Sequence, residues 1–124
     1  MNRLVVGAGL ILGLGFGQGQ MVAQDQYLEP SCDLDQGHFL VRAAKTYIQG
    51  ATEEADPANR DELLTSAYRN LAEGIGTDQA DNAAIWYFLG RYYYMMGDGS
   101  GADSAFTRTL QLAPHCADDI AYYR

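Results

Sequence analysis

The chain has 124 residues, with 16 acidic side chains against 8 from Lys and Arg, and a formal net charge of −8. That length provides for one small domain, and an acid excess of this size excludes nucleic-acid binding driven by the general field of the protein. The acids read as the solvated surface of helices; calcium or a basic partner is the other reading of so many carboxylates.

At the start of the chain, Arg3 precedes Leu4 to Phe16, an uncharged run rich in Leu, Val and Gly, and Met21-Val22-Ala23 offers a cleavage site. A charged start, an apolar stretch and a small-residue end describe a secretory signal peptide over residues 1–23. The run is shorter than the roughly 20 residues of a membrane span. Export to the periplasm or the medium is therefore expected, with an uncleaved segment anchoring the protein to the membrane as the alternative. Cleavage after Ala23 removes one cation, Arg3, and no acid. Residues 24–34 form an N-terminal tail that carries Cys32. The preceding Glu29-Pro30-Ser31 does not resemble a lipoprotein box, so lipidation is not expected.

From residue 35 onward the pattern is helical. Asp56-Pro57 should end a first helix that opens near His38, since proline cannot continue a helix interior. Leu63, Leu64, Ala67, Tyr68, Leu71, Ala72 and Ile75 then recur at helical spacing. Trp86, Leu89, Gly90 and Tyr93 fall at i, i+3, i+4 and i+7, one stripe of a further helix. Gly90 sits among large side chains, where glycine costs about 1 kcal/mol against alanine; close approach of a second helix would compensate. The sequence from Gly97 to Gly101 reads as a tight turn of four to five residues. Ser100 with Asp103 suggests a capping box. Ala102, Ala105, Phe106, Thr109 and Leu110 make the next stripe, and Pro114 stops it.

The spacing Trp86-x2-Leu89-Gly90-x2-Tyr93, then Ala102-x3-Phe106, then Pro114 resembles the signature of a tetratricopeptide repeat. The strong match covers residues 83–116; Thr109 departs mildly, standing where the family has a small apolar residue. Residues 35–76 resemble a degenerate repeat. Leu40, Ala43, Ala44 and Tyr47 take the first-helix places without the Trp, and Ala67-x3-Leu71 takes the second-helix element, with an insertion from Gly50 to Arg60. One 34-residue period after Trp86 stands the apolar Ile120, so residues 117–124 read as the opening turns of a further first helix. The resemblance implies an all-α fold, antiparallel helix pairs stacked as a short α-solenoid over residues 35–124. Trp86, Leu89, Tyr93 and Phe106 would be buried together.

In that family the first helices line a concave binding face. The resemblance places Tyr87, Arg91, Tyr94 and Met95 on it, continued by Val41, Lys45 and Ile48, as one exposed side. Tyr and Arg are frequent interface anchors. Tyr87 and Arg91 stand where the family's carboxylate-clamp subtype has Lys and Asn, so recognition of that type is not implied.

Other chemistry finds little support. Tyr92-Tyr93-Tyr94-Met95-Met96 reads as a mixture of core and groove contacts, not a cofactor box. Asp98 to Asp103 lacks the third acid, the later Glu and the length of a calcium loop. His38 and His115 have no second ligand pair at metal spacing and read as surface or packing residues. No catalytic constellation, cofactor or metal site is expected. The two cysteines, Cys32 and Cys116, lie outside any Cys-x-x-Cys, and in an exported chain an even number favours a disulfide. Pairing would require the tail to fold back along the stack; free thiols or pairing with another chain are the alternatives.

The expected function is that of an extracytoplasmic adaptor or scaffold, not an enzyme. It would bind a protein or peptide segment, as an accessory subunit of an envelope or membrane complex, and no nucleic acid. Membrane contact would come only through a partner or an uncleaved N-terminus. Two alternatives stand beside it: the N-terminal part of a longer repeat protein, since repeat stacks usually need about three units and a polar cap, and a small secreted enzyme.

Overall fold

The structure, a computed structural model, describes Pro30 and residues 32–123. The expected signal segment, residues 1–23, lies outside the described residues. Those residues contain five α-helices and one 3-10 turn, and among them there is no strand. The helices are α1 (Phe39–Glu53), α2 (Pro57–Gly76), α3 (Ala83–Met95), α4 (Gly99–Leu112) and α5 (Ala117–Ala121), with the 3-10 turn at Pro114–Cys116. None of the described helices is long and apolar enough to cross a membrane.

Local chemistry sets each boundary. His38 caps α1, its Nδ1 accepting from the Leu40 N–H at 3.2 Å, so the helix begins at Phe39 and not at residue 35. Asp56 caps α2 through the Ala58 N–H at 3.0 Å, with Pro57 in the first turn. There its missing N–H is harmless. Asn82 caps α3 in the same way through Ala84. At the end of α3, Gly97 takes φ 76°. The Asp98 and Gly97 N–H groups then close back onto the carbonyls of Tyr93 and Tyr94, the left-handed stop that glycine permits. Asp98 immediately caps α4, accepting from the Gly101 N–H at 2.9 Å. The Ser100–Asp103 capping box is therefore corrected: Asp98 takes the cap in place of Ser100, α4 starts at Gly99, and the turn is only Met96 to Asp98.

The helices pack as two hairpins. α1 lies against α2 and α3 against α4, and the hairpins join where α3 meets both α1 and α2. α1 buries Leu40, Val41, Ala44, Ile48 and Ala51, and α4 buries Ala102, Ala105, Phe106 and Thr109, each on one stripe. α3 is different. Its buried residues, Ala84, Ile85 and Tyr87 through Arg91, run round the whole helix, as in a helix enclosed on all sides. Gly90 does allow close approach: a Cβ there would stand 2.4 to 2.7 Å from atoms of the Phe106 ring. Thr109 is fully buried, but its hydroxyl donates to the Ala105 carbonyl at 3.1 Å, so the polar group is satisfied within its own helix.

One expectation is corrected in part. Leu89 and Phe106 are buried, whereas Trp86 and Tyr93 are only half-buried. Trp86 turns toward the connection before α3, where its Nε1 donates to the Ala80 carbonyl at 2.7 Å. Tyr93 lies over Gly101 and beside Tyr68.

Cys32 and Cys116 are bonded, with Cα atoms 5.3 Å apart. The tail does fold back. The Cys32 N–H donates to Asp119 Oδ2 at 3.1 Å, and His115 Nε2 lies 3.0 Å from the Asp33 carbonyl. Leu34 packs on the core, and Lys45 donates to Gln36 at 3.1 Å. The tail thus runs from the start of α5 to the start of α1.

Candidate functional site

The seven first-helix residues do not form one exposed side. Val41 and Ile48 are fully buried, Tyr87 is 1% exposed and Arg91 5% exposed. Lys45 and Met95 are half-buried, and only Tyr94, at 48%, is open to solvent. The cause is the end of the chain. α5 carries Tyr123 onto the face that the first helices would otherwise present. Its ring stacks on Phe106 at 5.5 Å and meets Tyr94 edge-on at 5.2 Å and Tyr87 at 6.4 Å. The Arg91 guanidinium carbon lies 4.6 Å from its centroid, a cation–π distance.

Burial pushes the Tyr123 phenol well above the ordinary tyrosine value and raises that of Tyr87 as well, with the Arg91 charge acting against the shift at each. A hydrogen bond joins the Tyr123 and Tyr87 hydroxyls, and Arg91 also bonds the Tyr87 oxygen. The two phenols and the guanidinium therefore bond one another inside an aromatic shell, while the buried Arg91 Nε takes no part in those bonds.

Beside this cluster is an open hollow of about 270 Å³, lined by Arg60, Arg91, Tyr94, Met95, Tyr122 and Tyr123, with Thr52 at its edge. Arg60 comes from the first turn of α2 and donates through Nη2 to the Met95 carbonyl at 3.2 Å. It thereby covers one of the carbonyls left open at the end of α3. Thr52 donates to the Ile48 carbonyl at 2.9 Å and touches Met95 Sδ at 3.8 Å. Tyr122 is 55% exposed at the rim. A second hollow of about 410 Å³ adjoins the first across Tyr94 and Tyr123 and reaches Gly97, Gly99, Ala102 and Asp103.

Arg60, Thr52, Tyr122 and Tyr123 thus join Arg91, Tyr94 and Met95 at the site, while Val41, Lys45, Ile48 and Tyr87 do not line it. Tyr123 carried a usable signal, since it stands 34 residues after Leu89, the repeat period. Arg60 carried none, because it falls in the stretch read as an insertion.

The remaining candidates take structural places. Asp98 caps α4, and His38 caps α1 and stacks on Phe39 at 4.7 Å. Tyr68, Tyr92 and Tyr93 cluster on the outer side, with Tyr68–Tyr92 centroids 5.2 Å apart. Among the described residues no group of His, Cys, Asp or Glu is arranged to hold a metal ion.

Comparison with known proteins finds no matching family model, no matching curated protein and no matching solved structure.

Proposed function

We propose that the chain is an extracytoplasmic adaptor or scaffold that binds a protein segment, built as a short solenoid of tetratricopeptide type. The repeat spacing from Trp86 to Pro114 supports the architecture, together with two helical hairpins packed on each other. The observation that carries the binding reading is the open hollow between the hairpins. There guanidinium groups from α2 and α3 meet exposed Tyr94, half-buried Met95 and the rim residue Tyr122. Arginine with tyrosine and methionine is the composition of interface anchors, not of a solvated surface. The extracytoplasmic placement rests on the apolar start of the chain and on the disulfide, which belongs to oxidising compartments.

The test is site-specific photocrosslinking in the cell envelope fraction. A benzophenone side chain at Tyr94 should yield a discrete crosslinked protein, identified by mass spectrometry, that reciprocal tagging recovers. The same probe at exposed Arg69 on α2 should not yield it. Equal yields at the two positions, or none at Tyr94, would reject the hollow as a binding site.

A further inference from the structure

We propose that Met95 is a site of reversible oxidation: hydrogen peroxide converts its thioether to the sulfoxide, and Thr52 and Arg60 hold the new oxygen. The chemistry stands on the geometry around the sulfur. Its consequence for a partner rests on the interaction reading above.

Few sulfurs are open to an oxidant. Cys32 and Cys116 are bonded to each other, and no free cysteine stands among the described residues. Of the four methionines, Met1 and Met21 fall in the expected signal segment, outside the described residues. Met95 and Met96 remain, side by side at the end of α3. Met96 is 51% exposed and Met95 is half-buried. Exposure alone would make Met96 the target.

The surroundings favour Met95. It lines the open hollow of about 270 Å³ between the hairpins, so a small oxidant has access. Thr52 Oγ1 lies 3.8 Å from Met95 Sδ and donates to the Ile48 carbonyl at 2.9 Å. A thioether is a weak acceptor, so the hydroxyl proton stays with the carbonyl. A sulfoxide oxygen is a strong acceptor, and a turn of the hydroxyl re-aims the proton at it. Arg60 is fixed beside the same residue, because its Nη2 donates to the Met95 carbonyl at 3.2 Å. A guanidinium carries five N–H donors, so that bond leaves others for the sulfoxide. Arg91, one turn before Met95 on α3, also lines the hollow, and none of the described lining residues is an acid. A thioether makes little use of such a positive, donor-rich wall. The S–O bond, negative at oxygen, makes full use of it.

In the step, a sulfur lone pair attacks one peroxide oxygen and the O–O bond breaks. The departing hydroxide takes the proton of the transferred oxygen and leaves as water. Sulfur loses two electrons and the peroxide gains them. Donors aimed at the oxygen where charge develops lower the barrier. A methionine sulfoxide reductase reverses the change: a dithiol supplies two electrons, the oxygen leaves as water and the dithiol becomes a disulfide. The sulfoxide is chiral, and each epimer has its own reductase. With its donors on one side of the sulfur, Met95 forms one epimer, whereas exposed Met96 forms both. Oxidation also replaces an adaptable apolar side chain by a polar one and draws Thr52 and Arg60 onto it. Both effects take contacts from a partner in the hollow, so oxidation releases that partner.

The experiment treats the full chain, disulfide intact, with dilute hydrogen peroxide. Tandem mass spectrometry scores the two methionines separately, and each epimer-specific reductase is then applied to the oxidised digest. Met95 should oxidise at least as fast as Met96. One reductase should clear its sulfoxide, while Met96 should need both. Thr52→Val or Arg60→Gln should slow Met95 severalfold and leave Met96 unchanged. Thr52→Val keeps the side-chain shape, which keeps the test decisive if Arg60→Gln is unstable. Slower oxidation of Met95 than of Met96, an even epimer mixture at Met95, or a Met95 rate unchanged by both substitutions would overturn the proposal.

For the consequence, the Tyr94 crosslink should fall severalfold after peroxide treatment and should survive it in Met95→Leu, which leaves Met96 oxidisable. A crosslink indifferent to oxidation overturns the regulatory part. If Met95 shows the stated rates and epimer but nothing crosslinks even before oxidation, the modification stands and the interaction reading fails. If the crosslink forms while Met95 follows exposure alone, the interaction reading stands and this proposal falls.

Discussion

Gly90 and Phe106 show how much a single residue decides. The two helices of the second hairpin approach so closely at Gly90 that a methyl group would fall inside the contact distance of three ring atoms. The ring cannot yield cheaply, because Phe106 is fully buried. Alanine would gain about 1 kcal/mol of helix propensity, but overpacking typically costs about 1–3 kcal/mol. Contacts as short as 2.4 Å put the cost at the upper end of that range, so Gly90→Ala should lose about 2 kcal/mol net, read as a lower urea midpoint at unchanged slope. Gly76→Ala is the control, since nothing lies within 4 Å of the added atom. It should gain up to about 1 kcal/mol from backbone entropy and propensity. Equal or greater stability of Gly90→Ala would show that the hairpin tolerates a wider spacing. This contact was legible in the sequence, because a glycine kept among large apolar residues of a helix marks the place where a neighbour comes close. The place of Trp86 was not. A tryptophan on an apolar stripe reads as core, yet its indole N–H needs an acceptor, and the Ala80 carbonyl drew the ring to the edge.

Among the elements, α3 departs furthest from its sequence pattern. A stripe at i, i+3, i+4 and i+7 presumes one covered side and one open side. α3 is covered on the open side too, because α5 brings Tyr123 across it. The sequence marked Ile120 as apolar at the repeat period but said nothing of a tyrosine closing over Arg91, since that depends on how the next helix turns after Cys116. The closure has a pH signature. The Tyr123 phenol is raised by burial, and Tyr87 shifts in the same direction. In the unfolded chain these phenols ionise near pH 10, while in the fold they keep their protons. The unfolded state thus binds fewer protons above pH 10. The stabilisation is complete below that pH and is lost as pH rises beyond it, by at most about 1.4 kcal/mol per pH unit for each such group. Urea midpoints between pH 9 and 11 should fall steeply for the native sequence and less steeply for Tyr123→Phe. Identical pH slopes would mean that Tyr123 is not enclosed.

At the scale of the whole molecule, the two hairpins form one core that includes Ile120 and Tyr123 from the end of the chain, and the disulfide is what ties that end to the beginning. The sequence suggested the pairing and the direction of the tail. It could not show what the bond secures, because the contacts of Cys32 with Asp119 and of Asp33 with His115 join segments more than 80 residues apart. Cys32 and Cys116 are separated by 84 residues. In the chain-entropy account, closing a loop of that length removes about 4–5 kcal/mol of unfolded-state freedom. A small domain has only about 5–15 kcal/mol in total, so the bond supplies a large share. Its loss should also act locally. The tail holds α5 through Asp119, and α5 holds Tyr123 over Arg91. Reduction should therefore lower the urea midpoint sharply and, before global unfolding, weaken the near-ultraviolet circular dichroism of the tyrosine cluster. The doubly substituted Cys32→Ala, Cys116→Ala protein should behave like the reduced one. A midpoint shift worth less than about 1 kcal/mol, small beside the loop-closure figure, would show that packing of Leu34 and Ile120 alone keeps the ends together. Loss of stability with an unchanged aromatic signal would separate the staple from the cradle, leaving Tyr123 held by Phe106 and Tyr87 without help from the tail.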